Sequence, residues 1–141
     1  MGYQSQIDYE LSVIKNWYQQ NYPLCGFCGH RVKDGYGELA HLIRRSASRE
    51  LQTLKLNTML SHHECHDIFD NKPNEAVYLP RFYECLFIIW RIDLAYYGQM
   101  GNNYSMLGIT FPDFFSIDRF IGPLEHHGQL LTLLPYLKKA P

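Results

Sequence analysis

Apolar residues recur at helical spacing along the first twenty positions. Tyr3, Ile7, Leu11, Ile14 and Tyr18 follow at steps of four, four, three and four, on one face of a helix. The pattern predicts an amphipathic helix over 3–21, with its apolar face given to core packing. Pro23 ends it, because a proline disfavours helical backbone in the residue before it. A second periodic run covers 78–98. Leu79, Phe82, Leu86, Ile89, Ile92 and Tyr96 recur every three or four residues, and Phe87 and Trp90 widen the face. Pro80 suits a first turn, while Gly98 and Gly101 are expected to stop the helix. Beyond it, Asn102-Asn103 suggests a turn, and Pro112, Pro123 and Pro135 divide the remainder into short helices and loops.

The stretch 24–72 follows neither period. Its apolar runs are short, with turns near Gly26, Gly29, Gly35 and Gly37. It also holds the charge asymmetry of the chain. Six Lys/Arg from Arg31 to Lys55 meet three acids, whereas from Leu56 onward six bases meet nine. A formal net charge of −1 therefore conceals a basic segment. This excludes a wholly basic coat protein for nucleic acid but leaves room for a local phosphate site. With 141 residues, 46% of them hydrophobic, the chain can bury one ordinary core. We expect an N-terminal helix (1–23), a central core (24–77) and a helical C-terminal extension (78–141), packed as one domain.

No run approaches the roughly 18 apolar residues of a membrane span. The N-terminus lacks the features of a secretory signal, and Gly2 reads as a chance match to a myristoylation site. A cytoplasmic chain with no membrane partner is the expectation. In that setting, four Cys and seven His direct attention to metal before disulfides.

Cys25-Gly26-Phe27-Cys28-Gly29 is a turn that aims two thiolates at one ion, with a glycine to relieve the backbone after the second. A redox pair and incidental cysteines are the alternatives. The polar, Gly-rich residues 29–37 begin no helix, which argues against a redox motif. His62-x-x-Cys65, 34 residues after Cys28, completes a Cys₃His set for structural Zn²⁺. His62 is preferred over His63 because a ligand three residues before Cys65 shares its helix face. Cys85 sits in the apolar run and reads as a small buried hydrophobe. His126-His127 carries no assigned role.

Between and beside these ligands stand Ala40-His41-Leu42-Ile43, Asn57 and His66. In this arrangement the sequence resembles the HNH endonuclease family over about residues 24–72. The tail His66-Asp67-Ile68-Phe69-Asp70 is similar to the ending of some restriction-type members. The resemblance implies an α+β fold with a ββα-metal, treble-clef-like core. His41 would lie on the first strand of a hairpin, Asn57 at the return strand, and Cys65-His66 at the start of a helix. It implies cleavage of DNA phosphodiester bonds with one divalent ion, and a phage or mobile-element source. Asn57 would tie down the loop and orient the base.

The residues argue for the same chemistry. Phosphodiester hydrolysis needs a base for water and a cation facing the anionic transition state. A neutral imidazole suits the first task, which we assign to His41. His66 and Asp70, at i and i+4, form a half-site for Mg²⁺, Mn²⁺ or a similar divalent ion. Ala40 stands where many members carry a metal ligand, so Glu38 is the rival carboxylate. Arg44, Arg45, Arg49 and Lys55 are candidate DNA contacts, mainly to phosphates.

Two other classes compete. One is a non-catalytic treble-clef module that uses zinc only to fold and binds nucleic acid or protein. Its weakness is the second histidine pair, His41 and His66, which such a module does not need. The other is a subunit of a homodimer or larger assembly, docked through an exposed stripe of Phe82, Phe87, Trp90 and Tyr97.

Overall fold

The computed structural model describes residues 2–114. By internal contacts the chain divides into two compact units, Met1–Pro80 and Arg81–Pro141. Among the described residues no helix is long and apolar enough to cross a membrane.

The first unit is α+β. Helix α1 spans Tyr3–Asn21, as the periodicity predicts. Ile7 is buried, and Leu11, Ile14 and Tyr18 are half-buried along the same face. Strands β1 (Glu38–His41) and β2 (Thr58–Ser61) pair antiparallel, with Glu38 opposite Ser61 and His41 opposite Thr58. Two 3-10 turns, Glu50–Thr53 and Lys55–Asn57, shape the connection between them. Helix α2 (His63–Asn71) follows β2 almost at once, and the short α3 (Pro73–Ala76) carries proline in its first turn. Phe27, Val32, Leu42, Ile43, Leu60 and Phe69 form the buried centre between these elements.

The turn at Cys25 packs directly on the hairpin. The Gly26 N–H donates to the Leu60 carbonyl at 2.8 Å. A Cβ at Gly26 would lie 2.7 Å from the Met59 Cβ, so only glycine permits this approach. Gly29 closes the turn at φ +80°, and its N–H donates to the Cys25 carbonyl.

In the second unit the long helix expected over 78–98 is two helices, α4 (Phe82–Ile92) and α5 (Leu94–Ser105). The break falls at Asp93, not at a glycine. Its backbone is extended (φ −150°, ψ 97°), and its carboxylate accepts the Tyr96 N–H at 3.0 Å. Asp93 is thus an N-cap that starts a new helix inside an unbroken apolar pattern. Gly98, Gly101 and Asn102-Asn103 lie within α5 rather than ending it, and Phe111 packs close to Gly101. Phe82, Phe87 and Tyr97, expected as a candidate docking stripe, are buried among Tyr104, Phe111 and Phe114. Cys85 is fully buried, as expected of a small hydrophobe. Pro123, Pro135 and His126-His127 lie outside the described residues.

Glu84 is the unusual group of this core. It is buried, with Arg81 4.0 Å away as a distant counter-charge, and burial pushes its pKa up to about 7. The folded chain therefore holds the Glu84 proton more tightly than the unfolded chain does. The stabilisation from that proton is complete below the ordinary carboxylate range and is lost as pH rises through about 7. Glu84→Gln should match the wild type near pH 4 and become more stable as pH rises, by about 2–3 kcal/mol at pH 8. Urea unfolding of both proteins across that range checks the sign and the window.

Candidate functional site

Two groups of side chains are assembled on the first unit. In the first, Cys25, Cys28, His62 and Cys65 place one ligand atom each within 4.8 Å of one another. His62 Nδ1 is 3.4 Å from Cys28 Sγ and 4.0 Å from Cys65 Sγ. A tetrahedron with metal–sulfur bonds of about 2.3 Å has edges near 3.8 Å, so these spacings fit Zn²⁺. The surroundings fit as well. His62 Nε2 lies 3.1 Å from the Arg31 carbonyl, which can only accept. That bond puts the proton on Nε2 and leaves the Nδ1 lone pair free for a metal. The Phe27 N–H points at Cys25 Sγ from 3.4 Å. Burial, with the nearby Cys25 and Cys28, pushes the Cys65 thiol up to about 12, so three thiolates coexist here only beside a cation. His63 is exposed and stands aside, 3.2 Å from Glu38.

The cluster joins two turns that are far apart in sequence, and it starts α2. His66, one residue past Cys65, is therefore positioned by it. Phe27, from the first turn, lies parallel to the His66 ring with centroids 6.3 Å apart, and it also contacts Phe69.

The second group lines a cleft of about 620 Å³ formed by Leu11, Ser12, Lys15, Glu38, Leu39, His41, Arg44, Arg45, Ser46, His66 and Asp70. His41 Nε2 is 2.8 Å from the Gln52 carbonyl, so it donates there and Nδ1 carries the lone pair. Burial lowers the His41 pKa below the ordinary histidine value, helped by the positive charges of Arg45 and His66 against the opposing Gln52 bond. At neutral pH the ring is uncharged.

His66 sits between two carboxylates. Asp70 Oδ2 is 3.0 Å from Nε2, and Glu38 Oε1 is 2.6 Å from Nδ1. Asp70 foremost, then Glu38, push its pKa up to about 9 against the effect of burial. The two carboxylates meet opposite edges of one ring. One ion can take His66 Nε2 with Asp70, leaving Glu38 to accept from Nδ1, or take Nδ1 with Glu38. It cannot take both carboxylates in this arrangement. Among the described residues only the Cys₃His set brings three or more such ligand atoms together, so His66 and Asp70 could offer an ion two ligands at most. That suits an ion such as Mg²⁺, which keeps waters and takes further ligands from a phosphate.

Asn57 is fully buried, and its amide clasps the connection between the strands. Its Oδ1 accepts from the Ile43 N–H at 2.8 Å, and its Nδ2 donates to the carbonyls of Ile43 and Leu51 at 3.0 and 3.1 Å. Arg44 donates to the Asp70 carbonyl, and Arg45 Nε to Gln52 Oε1 at 3.2 Å. Arg49 and Lys55 do not line the cleft; Lys55 places its ammonium over the Trp17 ring, 2.9 Å from the centroid. Ala40 is fully buried and does not line it either. Sequence reasoning missed Ser12 and Lys15. The available signal was weak, a single basic residue in α1 beside the apolar stripe.

Compared with known proteins, the chain matches no protein-family model, no curated protein and no solved structure. The fold and the first cluster define a small α+β protein with a two-stranded antiparallel sheet and a site that fits zinc.

The cluster yields a stability prediction. The purified protein should carry one zinc per chain. Cys65→Ser should release it and lower the melting temperature by at least about 10 °C, because structural zinc contributes folding energy directly. Elemental analysis alongside thermal unfolding is the check.

Proposed function

We propose that the chain is a metal-dependent endonuclease of the HNH type, acting on DNA phosphodiester bonds. The observation that carries this reading is the meeting, in one cleft, of an uncharged buried imidazole (His41), the His66–Asp70 pair and two arginines. A module that needed zinc only to fold would have no use for this second group. In this reading β1, β2 and α2 are the ββα-metal core.

His41 Nδ1 removes a proton from the attacking water. The Gln52 carbonyl holds Nε2–H, so tautomer and ring orientation are set before substrate arrives. Asn57 acts at one remove as a positioning residue. It fastens Ile43 and Leu51, the neighbours of His41 and Gln52, to one another. His66 and Asp70 would hold the divalent ion, Mg²⁺ or Mn²⁺, with Glu38 fixing the ring through Nδ1. Such an ion, when bound, supplies Lewis-acid stabilisation of charge on the phosphate. Arg44 and Arg45 bind phosphate oxygens and set register without reading bases.

Incubation with supercoiled plasmid, with and without Mn²⁺ or Mg²⁺, tests the reading. Metal-dependent nicking or linearisation is expected. Binding without cleavage would favour the non-catalytic module instead. His41→Ala should lower the cleavage rate by roughly 10²–10⁴ while binding persists. In the wild type the rate should fall on acidification with a midpoint below the ordinary histidine pKa, because burial disfavours the imidazolium.

The two carboxylates should separate. Asp70→Ala should abolish metal-dependent cleavage with zinc content unchanged. Glu38→Ala should weaken metal affinity by roughly 10- to 100-fold and recover at high Mn²⁺. A titration of both variants with Mn²⁺ reads this directly, and the opposite order would assign the ion to Glu38.

A further inference from the structure

Helix α1 lies outside the stretch that carries the zinc ligands and His41, yet it presents Leu11, Ser12 and Lys15 to the cleft. These positions are i, i+1 and i+4, on one side of the helix. The helix is anchored at Tyr18, whose hydroxyl donates to the Thr58 carbonyl at 2.8 Å. Thr58 is the residue opposite His41 in the β1–β2 register. Lys15 precedes that anchor by three residues, one helical turn, so its place relative to the His41 strand is determined by a specific bond.

The state of its ammonium is the second observation. Lys15 is half-buried, and its side chain makes no ion pair or hydrogen bond among the described residues. The other charged groups of the cleft are engaged. Arg44 is tied to the Asp70 carbonyl and Arg45 to Gln52, while Glu38 and Asp70 both hold His66. A cation that lines a cleft and has no counter-charge of its own is completed by an anion from outside.

We infer that Lys15 is a substrate contact whose ammonium binds a phosphate of the nucleic-acid backbone, making α1 a wall of the binding site. The inference rests on the endonuclease reading above. Lys15 is a point charge on a flexible stem, whereas Arg44 and Arg45 offer planar forks, so the three together grip backbone phosphates without sequence preference.

Lys15→Ala, Lys15→Glu and Lys15→Arg in the full chain test it. Binding to a short labelled duplex is followed by fluorescence anisotropy over a salt series with no added divalent ion, so occupancy of the His66–Asp70 pair does not enter. Lys15→Ala should bind roughly three- to tenfold more weakly at low salt and reduce the salt slope by about 1. Lys15→Glu should bind more weakly still, and Lys15→Arg should restore most of the affinity. Zinc content and melting temperature should stay at wild-type values in all three. Wild-type affinity and slope in Lys15→Ala would overturn the contact and leave the endonuclease reading standing. Lost zinc or lowered melting temperature in all three variants would assign Lys15 to the fold and also overturn it. A wild-type protein with no salt-dependent affinity for the duplex would overturn the endonuclease reading and this inference together.

Discussion

The side chain of Asn57 holds the most consequential bonds in the first unit. Its amide donates and accepts at once, saturating both backbone groups of Ile43 and one of Leu51 with no exposure to water. The main-chain carbonyl of Asn57 accepts the Leu42 N–H at 2.9 Å. The strands it joins are only four residues each, too short to define their ends by pairing alone. The clasp supplies that definition from within the connection. His41 ends β1, Gln52 lies in the first 3-10 turn, and Arg44 and Arg45 follow Ile43, so each is placed by this one amide. An aspartate of the same shape could accept but not donate, and would take from the Ile43 and Leu51 carbonyls the bonds that Asn57 gives them, leaving Leu51 only its Leu54 N–H.

The Cys₃His cluster does for α2 what Asn57 does for the hairpin. A nine-residue helix has little stability of its own in water. Here its beginning is tied to the turn at Cys25, and that turn is tied to β2 through Gly26. Phe27, between the two cysteines, supports the His66 ring. The hairpin and the helix thus reach the cleft from two independently fastened directions. The geometry between His41 and His66 follows from the Asn57 amide on one side and the cluster on the other.

Charge in the cleft is arranged by contact rather than by number. The acids lie on opposite edges of a single imidazole, and the arginines are steadied by a carbonyl and an amide. This leaves His41 uncharged beside a strongly basic His66, two histidines driven apart by their surroundings. Desolvation governs the first, and paired carboxylates govern the second.

Much of this was legible in the residues alone. The 3–21 helix followed from apolar period, and the zinc-fitting quartet from ligand type and spacing, both properties of short stretches of chain. The i, i+4 relation of His66 to Asp70 was equally local, and the structure joins them at 3.0 Å. The break at Asp93 was present as an N-cap residue, but it lay hidden inside a continuous apolar pattern. What only the tertiary structure decided are the relations between distant segments: Glu38 against the far edge of His66, the Gln52 carbonyl that sets the His41 tautomer, Lys55 over Trp17 and away from the cleft, and Lys15 facing it. Spacing along a chain specifies which side chains share a turn or a helix face. It carries no information on which of several equally placed acids or bases a neighbouring element will meet, because packing between elements determines that.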